Sequence, residues 1–361
     1  MSWPTVYLEE ISESIVYGLN ASATIDEHGP RFLRITDIHE SSVDWNAVPS
    51  CECTEKELEK FRLSSGDIVF ARTGATTGKS YLIRNCPTDS VFASYLIRVR
   101  LNQKANPEFI SHFFKSPIYW AQVRSTAVGA AQPGINATKL KKMRIPLPPI
   151  NEQKRIATIL DKASEISQNT EQAFEKREGL KNSVFIELFG DPLNTSQWQK
   201  VSFLDGVQDV TRSQSKIPQK EFLESGVLPI IDQGRQNIGG WTNDPSLVCT
   251  VPLPNIIFGD HTGVLKFLDF PYALGADGVK VLIPKDLNFE PFFLYHLLRF
   301  LPLPDVGYSR HYKFLKQFML ICPPIQLQRK FERIVNSINQ IPESAGLAKE
   351  NAQSILQEML T

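Results

Sequence analysis

After Pro149 the apolar residues fall at Ile156, Ile159, Leu160, Ala163, Ile166, Ala173, Phe174, Leu180, Val184 and Leu188, with charged and polar residues between them. Steps of three and four place these side chains on one stripe of a long helix. Pro148 and Pro149 suit its entry, where the first amides have no acceptor inside the helix, and Gly190 with Pro192 supplies the stop. About 40 residues make a rod of roughly 60 Å. A second stripe follows Pro324 at Phe331, Ile334, Val335, Ile338, Ile341, Leu347, Ala348, Ile355, Leu356 and Met359, with Pro342 placed to kink or interrupt it.

The stretches ahead of the two helices are different in kind. Short β-branched and aromatic runs bounded by turn residues read as strands: DIVFA, SYLIRN and SYLIRVRL in the first, NIIFG, VLKFLDF and GVKVLIP in the second. A helix with proline in its first turn is expected after each set, at Pro107 to Val123 and at Pro291 to Phe300. The fold class is therefore α+β, built twice.

The duplication is visible in the residues themselves. PPINEQKRIATILDKASEI from Pro148 is answered by PPIQLQRKFERIVNSINQI from Pro323, so that Gln153 matches Gln328 and Ile159 matches Ile334. Upstream, DIVFARTG (Asp67 to Gly74) is answered by IIFGDHTG (Ile256 to Gly263), PEFISHFF by PFFLYHLL with His112 matching His296, and KLKKMRIPLPP by FLKQFMLICPP. Self-similarity kept in order along the chain implies a tandem architecture, each copy a globular unit of roughly 130 to 150 residues followed by a helix. SILQEML from Ser354 echoes SVFIELF from Ser183, but four residues nearer the shared glutamine. A loss of four residues is about one helical turn and leaves the stripe on its original face. Two helices that must present their seams to each other would need this; two unrelated surface helices would not. The expected arrangement is an antiparallel coiled pair acting as a spacer.

Composition narrows the function. In 361 residues, 39 basic side chains balance 39 acidic ones, which argues against a general polyanion binder while leaving basic loops possible. No run approaches the roughly 20 apolar residues of a membrane span, and MSWPTVYLEE lacks a signal-peptide layout, so a cytoplasmic location without membrane contact is expected. Five scattered cysteines suit reduced thiols. Cys51 and Cys53 have no histidine or further cysteine to complete a zinc set, and no metal role is expected.

GATTGKS (Gly74 to Ser80) imitates a phosphate loop and fails its spacing: Thr73 stands where the first glycine belongs, and a strand pattern follows instead of a helix. A better use for a Gly/Thr-rich hairpin carrying Arg72, Thr73 and Lys79 is contact with nucleic acid, where small residues permit close approach and donors reach phosphates or base edges. Its counterpart GDHTGVLKF carries His261, Thr262 and Lys266. A single histidine beside Asp260 invites an acid-base reading, but the other copy has no equivalent. A second donor-rich stretch precedes each long helix, with Gln132, Asn136 and Lys139 in the first copy and Arg310, His311 and Lys313 in the second; such side chains can pair with base edges, or simply be solvated loop polars.

At this point the residues resemble a family, the specificity subunits of type I restriction-modification systems. The resemblance is carried by IPLPPINEQKRIATILDK (Ile145 to Lys162), LKNSVFIELFGDP (Leu180 to Pro192), WQKVSFLD from Trp198 and ICPPIQLQRKFERI (Ile321 to Ile334). GVLPIIDQGRQNIGGWTND (Gly226 to Asp244) also looks like a recognition segment of that family and adds Arg235 to the candidates. The second proline turn departs from the pattern, with Gln326-Leu327 where the first has Asn151-Glu152.

The resemblance implies target-recognition domains at 1–148 and 194–322, separated by spacer helices at 149–193 and 323–361. Each domain would read one half of a split double-stranded DNA site. The helices, through Gln153, Ile156, Ile159 and Leu160 on the first and Gln328, Phe331 and Ile334 on the second, would pair and dock partners. Those partners are two modification (methyltransferase) subunits, which use S-adenosylmethionine, and restriction (endonuclease/translocase) subunits, which use ATP and Mg. The chain itself would have no catalysis and bind no cofactor, consistent with the lack of an adenine-methylase motif in its sequence. Two other classes stay open at this level: a coiled-coil scaffold with peptide-binding domains, and a stand-alone DNA nuclease using acids such as Asp260 or Asp305.

Overall fold

The computed structural model describes residues 3–24, 28–39, 42–74, 76–127, 134–276, 278–304 and 310–340. The chain divides into two units, one built on Met1–Glu171 and the other on Gln172–Glu343, and the boundary falls inside a single helix, Ile150–Phe189. This helix has the 40 residues its stripe demanded, and it ends where the sequence places the stop: Gly190 takes φ +74° and its amide closes onto the Ile186 carbonyl.

In the first unit an antiparallel sheet runs in the order Ser12–Tyr17, Leu96–Leu101, Ile68–Ala71, Ser80–Leu82. Ile68–Ala71 is buried on both faces, which is why it reads as an unbroken apolar run rather than an alternating one. Ile68 and Phe70 point to the helical layer, where they meet Phe109, Phe113, Phe114 and the long helix's Ile156 and Leu160, while Val69 points to a second core with Leu33, Ile83 and Phe92. The helix expected from Pro107 to Val123 is two helices, Pro107–Phe113 and Pro117–Ala127. Pro117 explains the break, since its ring disfavours a helical Ser116 and it brings no amide to the preceding turn.

The second unit repeats the plan. Its sheet order is Val207–Asp209, Val279–Pro284, Asn255–Gly259, Leu265–Leu268, with the same antiparallel neighbours. Pro291–Arg299 packs its Phe293, Leu294 and Leu297 into the core below. Both units also carry a small pair of strands that joins the start of the unit to the segment before its long helix: Thr5–Tyr7 with Arg144–Pro146, and Lys200–Ser202 with Met319–Ile321. The outer four-stranded sheets differ. One runs Ser90–Phe92, Arg31–Leu33, Ser50–Cys51, Ala23–Thr24, the other Lys216–Ile217, Ala273–Gly275, Leu228–Ile231, Gly240–Thr242. The conserved plan thus belongs to the layer that carries the helices, and the divergence to the layer farther from them.

Hydrogen bonds give the repeat a different register from the one the sequence match gives. The Arg72 amide donates to the Tyr95 carbonyl and the Arg72 carbonyl accepts from Ile135; Asp260 does the same with Gly278 and His311. Arg72 is therefore the counterpart of Asp260, not of His261. The slip arises because the sequence match is anchored on Thr-Gly, whereas the connections that follow, from Ala71 to Ser80 and from Gly259 to Leu265, have unequal lengths.

The second long helix is described over Ile325–Asn339. Inside the second unit its Phe331 ring meets Phe185 and Phe189 of the first long helix edge-on, with centroids 5.4 and 5.6 Å apart. The expected kink at Pro342 and the stripe from Ile341 to Met359 lie outside the described residues, and with them the full pairing of the two helices.

Candidate nucleic-acid interface

Each unit brings two sequence-distant, donor-bearing segments to the end of its central strand. In the first unit the strand Ile68–Ala71 runs out into a turn in which Arg72, Thr73 and Lys79 are exposed. Gly74 and Gly78 adopt φ of +82° and +85°, and the Thr77 hydroxyl donates to the Gly74 carbonyl. Ser80 then enters a strand, as the failed phosphate-loop spacing indicated. The second segment lies against it: the Ile135 amide donates to the Arg72 carbonyl at 3.0 Å, and Lys139 Nζ donates to the Gly134 carbonyl at 3.0 Å. Asn136 caps the short helix Ala137–Lys141 by accepting the Lys139 amide through its side-chain oxygen. Structure thus joins Arg72, Thr73 and Lys79 with Asn136 and Lys139. Gln132 lies outside the described residues.

In the second unit the corresponding turn is tied down more heavily. Asp260 accepts the His311 amide on its carbonyl at 2.6 Å and the Tyr312 amide on its carboxylate at 2.9 Å. Gln233 accepts the His261 amide on its side chain at 3.2 Å and the Thr262 hydroxyl on its carbonyl at 2.7 Å. Beside this turn opens a cleft of about 520 Å3 whose lining includes Arg235, Thr262, Gly263, Arg299 and His311. Arg235, Arg310 and Lys313 are exposed around it, while His311 is buried with Nδ1 facing the Asp260 carbonyl at 3.2 Å.

Lys266 does not belong to this surface. Its side chain is 5% exposed, and its ammonium donates to the Asp232 and Gln236 carbonyls at 2.9 and 2.6 Å, with the Asp232 carboxylate at 3.5 Å. Burial lowers its pKa, an effect that Asp232 opposes. Alternation in the strand Leu265–Leu268 turns residue 266 inward with Leu268, so this lysine is a strut holding the 232–236 loop.

Of the helix residues, Phe331 meets the first long helix at Phe185 and Phe189 as expected, and most also take a role that was not expected. Gln153 is fully buried: its side-chain oxygen accepts the Asn106 amide at 2.8 Å, and its nitrogen donates to the Pro148 carbonyl at 2.8 Å and to the Lys104 carbonyl at 3.0 Å. Gln328 repeats this clamp with Glu290, Pro323 and Asn288, each at 2.8 Å. Ile156 and Leu160, like Phe331, are buried in the core of their own unit. These five residues fasten each helix to the unit it follows, because the first turns of each helix lie on that unit's core. Ile159 and Ile334, at matching positions, are half-exposed and keep a face toward other contacts.

Sequence reasoning missed Tyr17 and Gln233, both of which organise the turns. Gln233 lies in the Gly226 to Asp244 segment already singled out; Tyr17 had only the end of an alternating strand to mark it. Among the described residues there is no cluster of three or more metal-ligating side chains, and no helix is long and apolar enough to cross a membrane.

Comparison with known proteins gives a consistent family. Residues 43–176 match the family described as Type I restriction modification DNA specificity domain. The type I restriction enzyme EcoKI specificity subunit of Escherichia coli is 28% identical over 200 residues, which is 53% of this chain and 43% of that protein's length. The putative type I restriction enzyme MjaX specificity subunit of Methanocaldococcus jannaschii is 23% identical over 99% of this chain and 92% of that protein. Among solved structures, the type I restriction-modification S subunit from M. genitalium shares the fold, with a TM-score of 0.63 at 17% identity, covering 99% of this chain and 95% of that one. Residues 43–176 thus match the type I restriction modification DNA specificity domain, and the chain as a whole, with its duplicated units and the long helix of Ile150–Phe189, is similar to specificity subunits of type I restriction-modification systems.

Proposed function

We propose that this chain is the DNA-reading subunit of a type I restriction-modification complex, in which each unit reads one half of a two-part double-stranded site. The observation that supports this reading is the recurrence, at the end of the same central strand in both units, of a turn held against a second, sequence-distant segment, with exposed cationic and hydrogen-bonding side chains on or beside it. Arg72, Thr73, Lys79, Asn136 and Lys139 form the first face, and Arg235, Thr262, Arg310 and Lys313 the second. Arginine pairs bidentately with guanine, asparagine with adenine, and lysine and threonine reach phosphates. His261 and His311 tie the second turn through their backbone amides, which donate to the Gln233 side chain and the Asp260 carbonyl.

The long helices act as the spacer in this reading and dock two modification subunits. Methyl transfer from S-adenosylmethionine, and ATP- and Mg-dependent cleavage, belong to modification and restriction subunits, and this chain contributes neither catalysis nor a cofactor. A flipped adenine needs an enclosed pocket, which the modification subunit supplies. A rigid helix converts its length into phase along the duplex at roughly 3.4 Å per base pair. Inserting one helical turn after Gln168 is the direct test: selection from randomised duplexes by the assembled complex returns the same two half-sites with a longer unspecified gap. An unchanged gap rejects the spacer role, and lost half-sites with an intact fold reject independent reading.

A further inference from the structure

Tyr17 ends the strand Ser12–Tyr17 and is 39% exposed. Its hydroxyl accepts the Ala137 amide at 3.1 Å, and the Arg72 guanidinium lies over its ring, 5.1 Å from the centroid. Ala137 is the first residue of its short helix, so its amide has no acceptor within that helix. One phenol therefore touches both segments of the first reading face, although they stand some 55 and 120 positions from it in the chain.

We propose that Tyr17 is the positioning residue of the first unit's reading face, fixing Arg72 and the 134–139 segment in one pose. The inference rests on the DNA-reading role above. Arg72's backbone is already held, its amide on Tyr95 and its carbonyl under Ile135; what remains to be set is where the guanidinium points. A ring face attracts the cation without consuming any guanidinium N–H, so the donor fork stays available for a phosphate or a guanine edge.

The second unit meets the same structural need by another route. There the first amide of the short helix Tyr312–Leu315 is accepted by the Asp260 carboxylate at 2.9 Å, and Asp260 occupies the backbone position of Arg72. Clasping the short helix from that position excludes a cation there. Accepting the clasp from Tyr17, on a strand two places away in the sheet, releases position 72 for arginine. The second face must present its cations elsewhere, as it does with Arg235 and Arg310.

The test uses the full chain, alone and assembled with modification subunits, carrying Tyr17→Phe, Tyr17→Leu, Arg72→Ala and the Tyr17→Leu/Arg72→Ala pair. Without DNA, Tyr17→Phe speeds hydrogen exchange at the Ala137 amide by about fivefold while the urea midpoint stays in place. On duplexes selected from a randomised pool by the unsubstituted complex, Tyr17→Leu weakens binding by about three- to fivefold. The double variant then binds no worse than Arg72→Ala alone. Unchanged Ala137 exchange, or losses that add in the double variant, overturn the positioning role. Faster Ala137 exchange together with unaltered binding by Arg72→Ala leaves the clasp standing and removes the DNA-reading role of this face.

Discussion

Gln153 and Gln328 show how a repeat can be held by single side chains. Each glutamine offers one acceptor and two donors to three backbone groups that the fold has taken from water, and the distances agree between copies to within 0.2 Å. Gln153→Leu keeps the volume and strands an amide and two carbonyls, each costing about 1–3 kcal/mol when left without a partner. Urea denaturation should record a large loss for Gln153→Leu and a similar one for Gln328→Leu; an unchanged midpoint in either contradicts the clamp. The matched histidines make a second prediction. Burial holds His112 below its ordinary pKa, and burial pushes His296 from 6.5 down to about 3, with Arg299 adding to the depression and Glu178 opposing it. The unfolded chain then takes up the proton that folded His296 refuses, so stability is full above about 6.5 and falls as the pH drops toward about 3. His296→Leu should flatten that acid limb in a series of denaturation curves. An equally steep limb would place the acid sensitivity in other groups.

At the level of elements, the central strands and the first long helix were legible in the sequence because their signals are local. DIVFA and NIIFG are buried on both faces, and the stripe after Pro149 runs to a glycine stop. What was not legible depends on partners far away in the chain. The outer-sheet strands are two to four residues long and exist through pairing, the Tyr17 contact reaches 120 positions away, and Gln233 acts 28 positions away. Lys266 carried a readable warning, since its neighbour-but-one Leu268 is a core residue; the basic side chain outweighed the alternation. Pro117 likewise marked a break that the apolar spacing obscured. One element-level property can be tested simply. Gly179 stands inside the long helix, and a Cβ added there meets nothing within 4 Å. Gly179→Ala should therefore stabilise the helix by about 0.5–1 kcal/mol, seen as a higher thermal midpoint, whereas a lower one would reveal a contact this helix face does not show.

For the whole molecule, duplication separates what must be constant from what can vary. The helix-bearing sheet, the small strand pair and the glutamine clamp recur in both units; the outer sheet and the tips of the reading turns do not. Under the proposed function, that division suits a protein whose partners would require one framework and whose two half-sites would require two different surfaces. It also makes the two surfaces separable by mutation. Arg72 lies in the first unit and Arg310 in the second, both exposed, and loss of one arginine contact to a base edge costs about 1–3 kcal/mol of discrimination. The most direct measurement is to sequence duplexes retained from a randomised pool by the assembled complex carrying no substitution, Arg72→Ala or Arg310→Ala. The account predicts a two-part motif in which each variant degrades a different half and leaves the other half and the gap intact; a single uninterrupted motif, or damage to both halves by either variant, would contradict it.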